Sequence, residues 1–89
     1  MTRFVLSAKS VNVFPNPTGN RQEFNVVVNA TESDLEQAKL SISSLKGQIV
    51  IQNSHVQQLM KIGGLPKGVY IINVQFLNGE SLNKKLMVE

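Results

Sequence analysis

Cysteine and tryptophan are absent from this chain, and histidine and aspartate occur once each, as His55 and Asp34. Without cysteine there is no disulfide framework, no thiolate zinc site and no cysteine nucleophile. Without tryptophan, an exposed aromatic cluster for sugar stacking is hard to assemble. Long apolar runs are missing too. Val26-Val27-Val28 and Val69-Tyr70-Ile71-Ile72 fall far short of the roughly 20 residues a membrane-spanning helix needs. A charge of one sign is also lacking. The net charge is +3, and the nine Lys and Arg are scattered, never exceeding the pair Lys84-Lys85. That is no nucleic-acid footprint. Most of the five aromatics, Phe4, Phe14, Phe24, Tyr70 and Phe76, sit on apolar strand faces, where core packing explains them better than base stacking.

The opening residues, Met1 to Leu6, hold a cation but no extended apolar stretch and no small-residue cleavage site. Two readings stay open on composition: a cytoplasmic protein, or a fragment of a longer exported one. Either way, 89 residues at 42% hydrophobic suffice for one small core and not for two.

What is present is strand after strand. Phe24, Val26 and Val28 alternate with Glu23, Asn25 and Asn29. Leu40 and Ile42 alternate with Ser41 and Ser43, and Ile49 and Ile51 share a face. The strongest segment runs from Gly68 to Leu77, where Tyr70, Ile72, Val74 and Phe76 form one apolar face. Period two with β-branched and aromatic residues predicts strands. Asn78-Gly79 predicts a type I′ hairpin, with φ > 0 at both residues. Leu45-Lys46-Gly47 predicts a second hairpin, with Gly47 left-handed. Pro15-Asn16-Pro17-Thr18 joins no central ladder, since each Pro lacks an N–H. Gly63-Gly64-Leu65-Pro66-Lys67-Gly68 is a third breaker. The expected strands lie near 4–7, 11–15, 23–29, 39–44, 48–53, 56–62, 68–77 and 81–88. This spacing predicts an all-β, Ig-like antiparallel sandwich of about seven strands. Thr31 to Ala38 dissents, with capping-box spacings at Thr31/Asp34 and Ser33/Glu36. It reads as a loop with at most one helical turn.

The supply of catalytic groups is poor. His55 lies in a polar stretch, where a solvated strand-end role is the ordinary one. A triad would need Asp34, His55 and a serine to converge, and no Gly-x-Ser-x-Gly elbow is present. Ser43-Ser44-Leu45-Lys46 matches Ser-x-x-Lys and Ser81-Leu82-Asn83 loosely matches a second acyl-transfer element, but Ser43 ends a strand instead of opening a helix. The glycine-rich stretch ending in Gly68 leads into a strand, not the helix a phosphate loop requires. Glu32, Asp34 and Glu36 lack the surrounding calcium-ligand pattern and read as a solvated acidic loop. Asn29-Ala30-Thr31 fits the weak N-glycosylation triplet. No cofactor and no metal are expected, and the chain is not expected to be an enzyme.

The order of elements is more specific than any one of them. Val11-Asn12-Val13-Phe14-Pro15-Asn16-Pro17-Thr18 opens the core, and Leu40 to Val50 follows with Gly47 at its turn. Then come Leu65-Pro66-Lys67-Gly68-Val69-Tyr70, Asn78-Gly79, and Lys84-Lys85-Leu86-Met87-Val88-Glu89. From Val11 to Glu89 this closely resembles the C-terminal sorting domain of type IX secretion substrates (the Por secretion system tail). Ser44 departs from the resemblance, because Asp often stands there; a serine can still accept a local backbone hydrogen bond in the turn.

The resemblance implies an Ig-like sandwich over 11–89 that ends a larger exported protein. Residues 1–10 then form a linker or the last strand of a preceding cargo domain. It implies partners in the outer-membrane translocon and in a sortase-like peptidase, whose cut, if it falls within these 89 residues, lies before Val11. The cargo passes the periplasm and reaches the outer-membrane surface or the medium. The alternative is a non-catalytic Ig-like module that binds carbohydrate or protein beside an extracellular enzyme. On the sorting reading, Leu82, Leu86 and Val88 anchor the last strand, while Lys84, Lys85 and the end near Glu89 are presented to the machinery, with Met87 on the face of Lys85. Pro15, Asn16, Pro17, Gly47, Leu65, Pro66, Gly68, Tyr70, Asn78 and Gly79 keep structural roles, with Gly68 allowing a bend. The short first strand stops at Pro15 and leaves an edge open to strand exchange or dimerisation.

Overall fold

The computed structural model describes residues 9–19 and 22–89. The expected strand near 4–7 lies outside the described residues. The chain forms β1 (Ser10–Phe14), β2 (Phe24–Asn29), α1 (Glu32–Glu36), β3 (Lys39–Ser44), β4 (Ile49–Asn53), β5 (Leu59–Ile62), β6 (Gly68–Gln75) and β7 (Ser81–Val88). One sheet has the order β1-β2-β5 and the other β4-β3-β6-β7. Every strand pair within them is antiparallel. The result is a seven-stranded Ig-like sandwich.

Alternation builds its core. Val11 and Val13 of β1, Phe24, Val26 and Val28 of β2, and Leu40 and Ile42 of β3 are buried. They meet Tyr70, Ile72, Val74 and Phe76, the face expected from period two, and Leu86 and Val88 of β7. Residues two apart point the same way, so each of these strands gives one face to the interior. Truncating a fully buried member such as Ile72 to alanine costs about 2–5 kcal/mol in lost transfer energy and cavity.

Several boundaries and turns differ from the sequence expectation. The strand expected over 56–62 begins at Leu59, although Val56 is buried in the core. The acidic stretch holds the single helical turn that its capping spacing allowed, as the short helix α1. Thr31 caps it, its Oγ1 accepting from the Asp34 N–H at 3.3 Å and donating to Asp34 Oδ2 at 2.9 Å.

The Asn78-Gly79 hairpin is not type I′. The Gly79 N–H bonds the Phe76 carbonyl at 3.1 Å and the Phe76 N–H bonds that of Glu80 at 2.8 Å. The loop therefore has three residues, Leu77-Asn78-Gly79, with a turn centred on Leu77-Asn78 and Gly79 at φ 95°. A turn followed by a left-handed glycine is the usual three-residue solution. The other hairpin repeats it: Gly47 N–H to the Ser44 carbonyl, Ser44 N–H to that of Gln48, and Gly47 at φ 87°. Both loops read Leu-x-Gly. Ser44 Oγ itself is buried and meets no partner among the described residues, so the local bond expected of it is not made.

Candidate strand-edge recognition site

Apart from Gly47, Asn78 and Gly79 in the hairpin loops, the motif residues gather at two places, and the first is the edge of β7. β7 pairs with β6 on one side only. After β1, Pro15-Asn16-Pro17 carries the chain from the first sheet to the second, where Thr18 makes an isolated parallel bridge to Val88. The Thr18 N–H donates to the Met87 carbonyl at 2.9 Å, and the Glu89 N–H donates to the Thr18 carbonyl at 2.8 Å. Between the prolines, Asn16 Nδ2 donates to the Lys85 carbonyl at 2.9 Å. The Met87 N–H donates to Asn16 Oδ1 at 3.1 Å. Prolines have no N–H to add to a ladder. A carboxamide carries both a donor and an acceptor, so Asn16 completes the edge that its neighbours cannot.

Alternation then sorts β7. Leu86 and Val88 are buried, and Leu82 packs partly against the core. Lys84 lies in the same row and is half-buried, whereas Lys85 and Met87 face out. A groove of about 460 Å³ is lined by Asn16, Pro17, Asn83, Lys84, Lys85 and Met87. Another, of about 450 Å³, is lined by Lys67, Gly68, Val69, Met87, Val88 and Glu89. Met87 is shared by both. Lys67, Lys84 and Lys85 form no ion pair among the described residues, so the surface around this strand carries free positive charge.

The second gathering is the entry to β6. Leu65 is buried, and the Tyr70 hydroxyl donates to the Pro66 carbonyl at 2.6 Å. The bond pins the bend at Lys67 to the strand that follows. Gly68 opens that strand opposite Val88, which fixes where the last turn of the edge begins.

The far end of the sandwich holds a group that sequence reading missed. The Lys9 ammonium hydrogen-bonds Glu80, lies 3.8 Å from Asp34 and sits 5.0 Å from the centre of the Phe76 ring. The bond to Glu80 raises the Lys9 pKa above its ordinary value, and the same bond, helped by Asn78, lowers that of Glu80. No local pattern marks this lysine. Asn16 had a signal: a lone amide between two prolines, at a point where a strand must end.

The residues considered for catalysis are not brought together. His55 is exposed, while Asp34 is engaged by Thr31 and Lys9. Among the described residues, Glu32, Asp34 and Glu36 form no group able to hold a metal ion, and no helix is long and apolar enough to cross a membrane.

Comparison with known proteins adds a family. The family described as "Secretion system C-terminal sorting domain" matches residues 12–89. Beta-agarase D of Zobellia galactanivorans is 25% identical over 80 residues, covering 90% of this chain and 15% of that protein. No solved structure matches.

Proposed function

This chain belongs to the secretion system C-terminal sorting domains, and from that membership we propose how its structure serves as a type IX sorting signal. The family directs export to the cell surface or the extracellular space, which implies a translocon and an upstream cargo. On our reading, the outer-membrane translocon reads the outward side of β7: Lys85, Met87 and Glu89, with Lys84 at the groove beside them. Leu86 and Val88 anchor the strand and are not read. The domain is 11–89, and 1–10 is linker or the end of the cargo. The cargo crosses the periplasm before the folded tail is read. A sortase-like peptidase then cuts before Val11 and leaves the cargo at the surface. The domain performs no chemistry of its own.

The observation that supports this most is the edge itself. Asn16 and Thr18 hold the second half of β7 with four hydrogen bonds to or from its backbone and Glu89. A strand held on both sides presents its outward side chains in one fixed row, as a signal read in the folded state requires. The test fuses the whole 89-residue chain to an exported reporter in a host with this pathway. Lys85→Glu with Met87→Glu changes only the outward row. The reporter should then accumulate in the periplasm, while Gln52→Glu on exposed β4 leaves secretion normal. Undiminished secretion of the double variant would overturn the reading.

We also propose that the isolated domain self-associates through an uncovered edge strand. The sequence pointed to the edge at β1. Exposed Ile49 and Val50 on edge strand β4, at 55% and 42%, support β4 instead, since an apolar edge invites pairing.

A further inference from the structure

The cover on β7 is incomplete, and the uncovered part has its own chemistry. Backbone groups facing away from β6 belong to alternate residues. The Lys85 carbonyl, both groups of Met87 and the Glu89 N–H are those that Asn16 and Thr18 engage. By the same alternation, the N–H and carbonyl of Asn83 and the N–H of Lys85 also face outwards. No bond to them is made from the described residues outside β7's own sheet. Asn16 and Pro17 end the covered part, and the groove of about 460 Å³ continues past them along Asn83, Lys84 and Lys85.

The free edge is flanked by cations on both faces. Lys85 projects to the outer face and half-buried Lys84 to the inner one. Neither has an ion-pair partner among the described residues. Lysines on an edge commonly serve to blunt it, and here they do exclude one partner. A second copy of β7 would set Lys84 and Lys85 against themselves. The same charges favour an extended segment with acidic side chains, whose alternation sends carboxylates to both faces.

We infer that the edge of β7 from Ser81 to Lys85 receives an acidic, extended segment of a partner protein as an added strand. Main-chain bonds to Asn83 and Lys85 would supply the register, and the two lysines the selection, as in other cases of strand addition. Five residues allow a contact of about 17 Å, ending where Asn16 occupies the edge. This deepens the sorting reading, on which it rests for the partner's place in secretion, but the binding is tested without secretion.

The test uses the isotope-labelled 89-residue chain and the blocked peptide acetyl-Thr-Glu-Glu-Val-Glu-Glu-Thr-amide, which carries carboxylates on both faces when extended, with a control in which each Glu is Lys. The acidic peptide should shift the amide resonances of Asn83 and Lys85 and slow their exchange by about tenfold. The lysine peptide should not. Asn83→Pro removes an outward N–H and should abolish the response. The pair Lys84→Glu and Lys85→Glu should reverse the preference between peptides, and it decides the matter if the proline variant does not fold. Equal response to both peptides, or no response at these amides, would overturn the inference. So would protection of these amides before any peptide is added, which would mean that residues 1–8 or a second copy already fill the edge. Failure here with the reporter still dependent on Lys85 and Met87 would remove the added strand and leave the sorting reading intact.

Discussion

Asn16 and Met87 are 71 residues apart in the chain, yet the Asn16 side chain accepts the Met87 backbone N–H at 3.1 Å. With the bond from Asn16 Nδ2 to the Lys85 carbonyl, one amide does for β7 what a neighbouring strand would do. Asn16→Ala should cost about 1–2 kcal/mol, lowering Tm by roughly 4–15 °C for a domain of this size. Amide exchange should quicken at Met87 and Glu89 while β2 is unaffected. An unchanged Met87 exchange rate would count against the edge role.

Tyr70→Phe isolates the second motif. The ring stays in the core, but the Pro66 carbonyl loses the hydroxyl at 2.6 Å. The expected loss is about 1 kcal/mol, against roughly 3–5 kcal/mol for Tyr70→Ala, which also empties the ring's volume. Urea titrations of both variants measure the two values. Equal losses would mean that the hydroxyl carries the whole effect.

Gly47 and Gly79 test the paired hairpins. A Cβ at either would meet nothing within 4 Å, so the penalty for alanine is conformational alone. Each substitution should cost about 1–2 kcal/mol, and Gly47→Asn should cost less because asparagine tolerates the left-handed region. Thermal denaturation of the three variants checks the order.

The Lys9–Glu80 pair predicts a pH dependence with two limbs. Glu80 has a lowered pKa, so its contribution is present above the ordinary carboxylate value of 4.5 and is lost as pH falls through the depressed one. Lys9 has a raised pKa, so its contribution is present below 10.5 and is lost as pH rises through the elevated value. The Tm difference between the natural chain and Lys9→Met should be level between these limits and shrink beyond both. A difference that grows in acid would contradict the assignment. Glu80 is exposed and Lys9 half-buried, so added salt should also reduce it.

Self-association at β4 is checked by light scattering over a concentration series. Ile49→Lys should hold the chain monomeric at concentrations where the natural chain grows, whereas Asn12→Lys on β1 should not. The opposite ranking would return the interface to the first strand.

What could be read from the sequence was whatever repeats locally. Tyr70, Ile72, Val74 and Phe76 declare a strand because their spacing alone puts them on one face. The two turns were visible as glycines, but at Asn78-Gly79 the residue pair suggested the wrong loop length. Leu77 belongs to the loop, and only the closing pair Phe76–Glu80 reveals it. Alternation along β7 alone puts Lys84 in the row of Leu82, Leu86 and Val88, and it is half-buried there. The bonds from Asn16 to β7 and from Lys9 to Glu80 join residues far apart in sequence. They depend on two sheets meeting, which no local pattern encodes.

β1 and β7 run in the same direction along one side of the sandwich. Lys9 meets Glu80 at one end, and Thr18 meets Val88 at the other. Whatever precedes Lys9 thus enters about 25 Å from the last turn of the final strand. On the proposed reading, contacts to Met87 and Glu89 at that far tip stay clear of the passenger, so passengers of unrelated shape can be exchanged behind one handle.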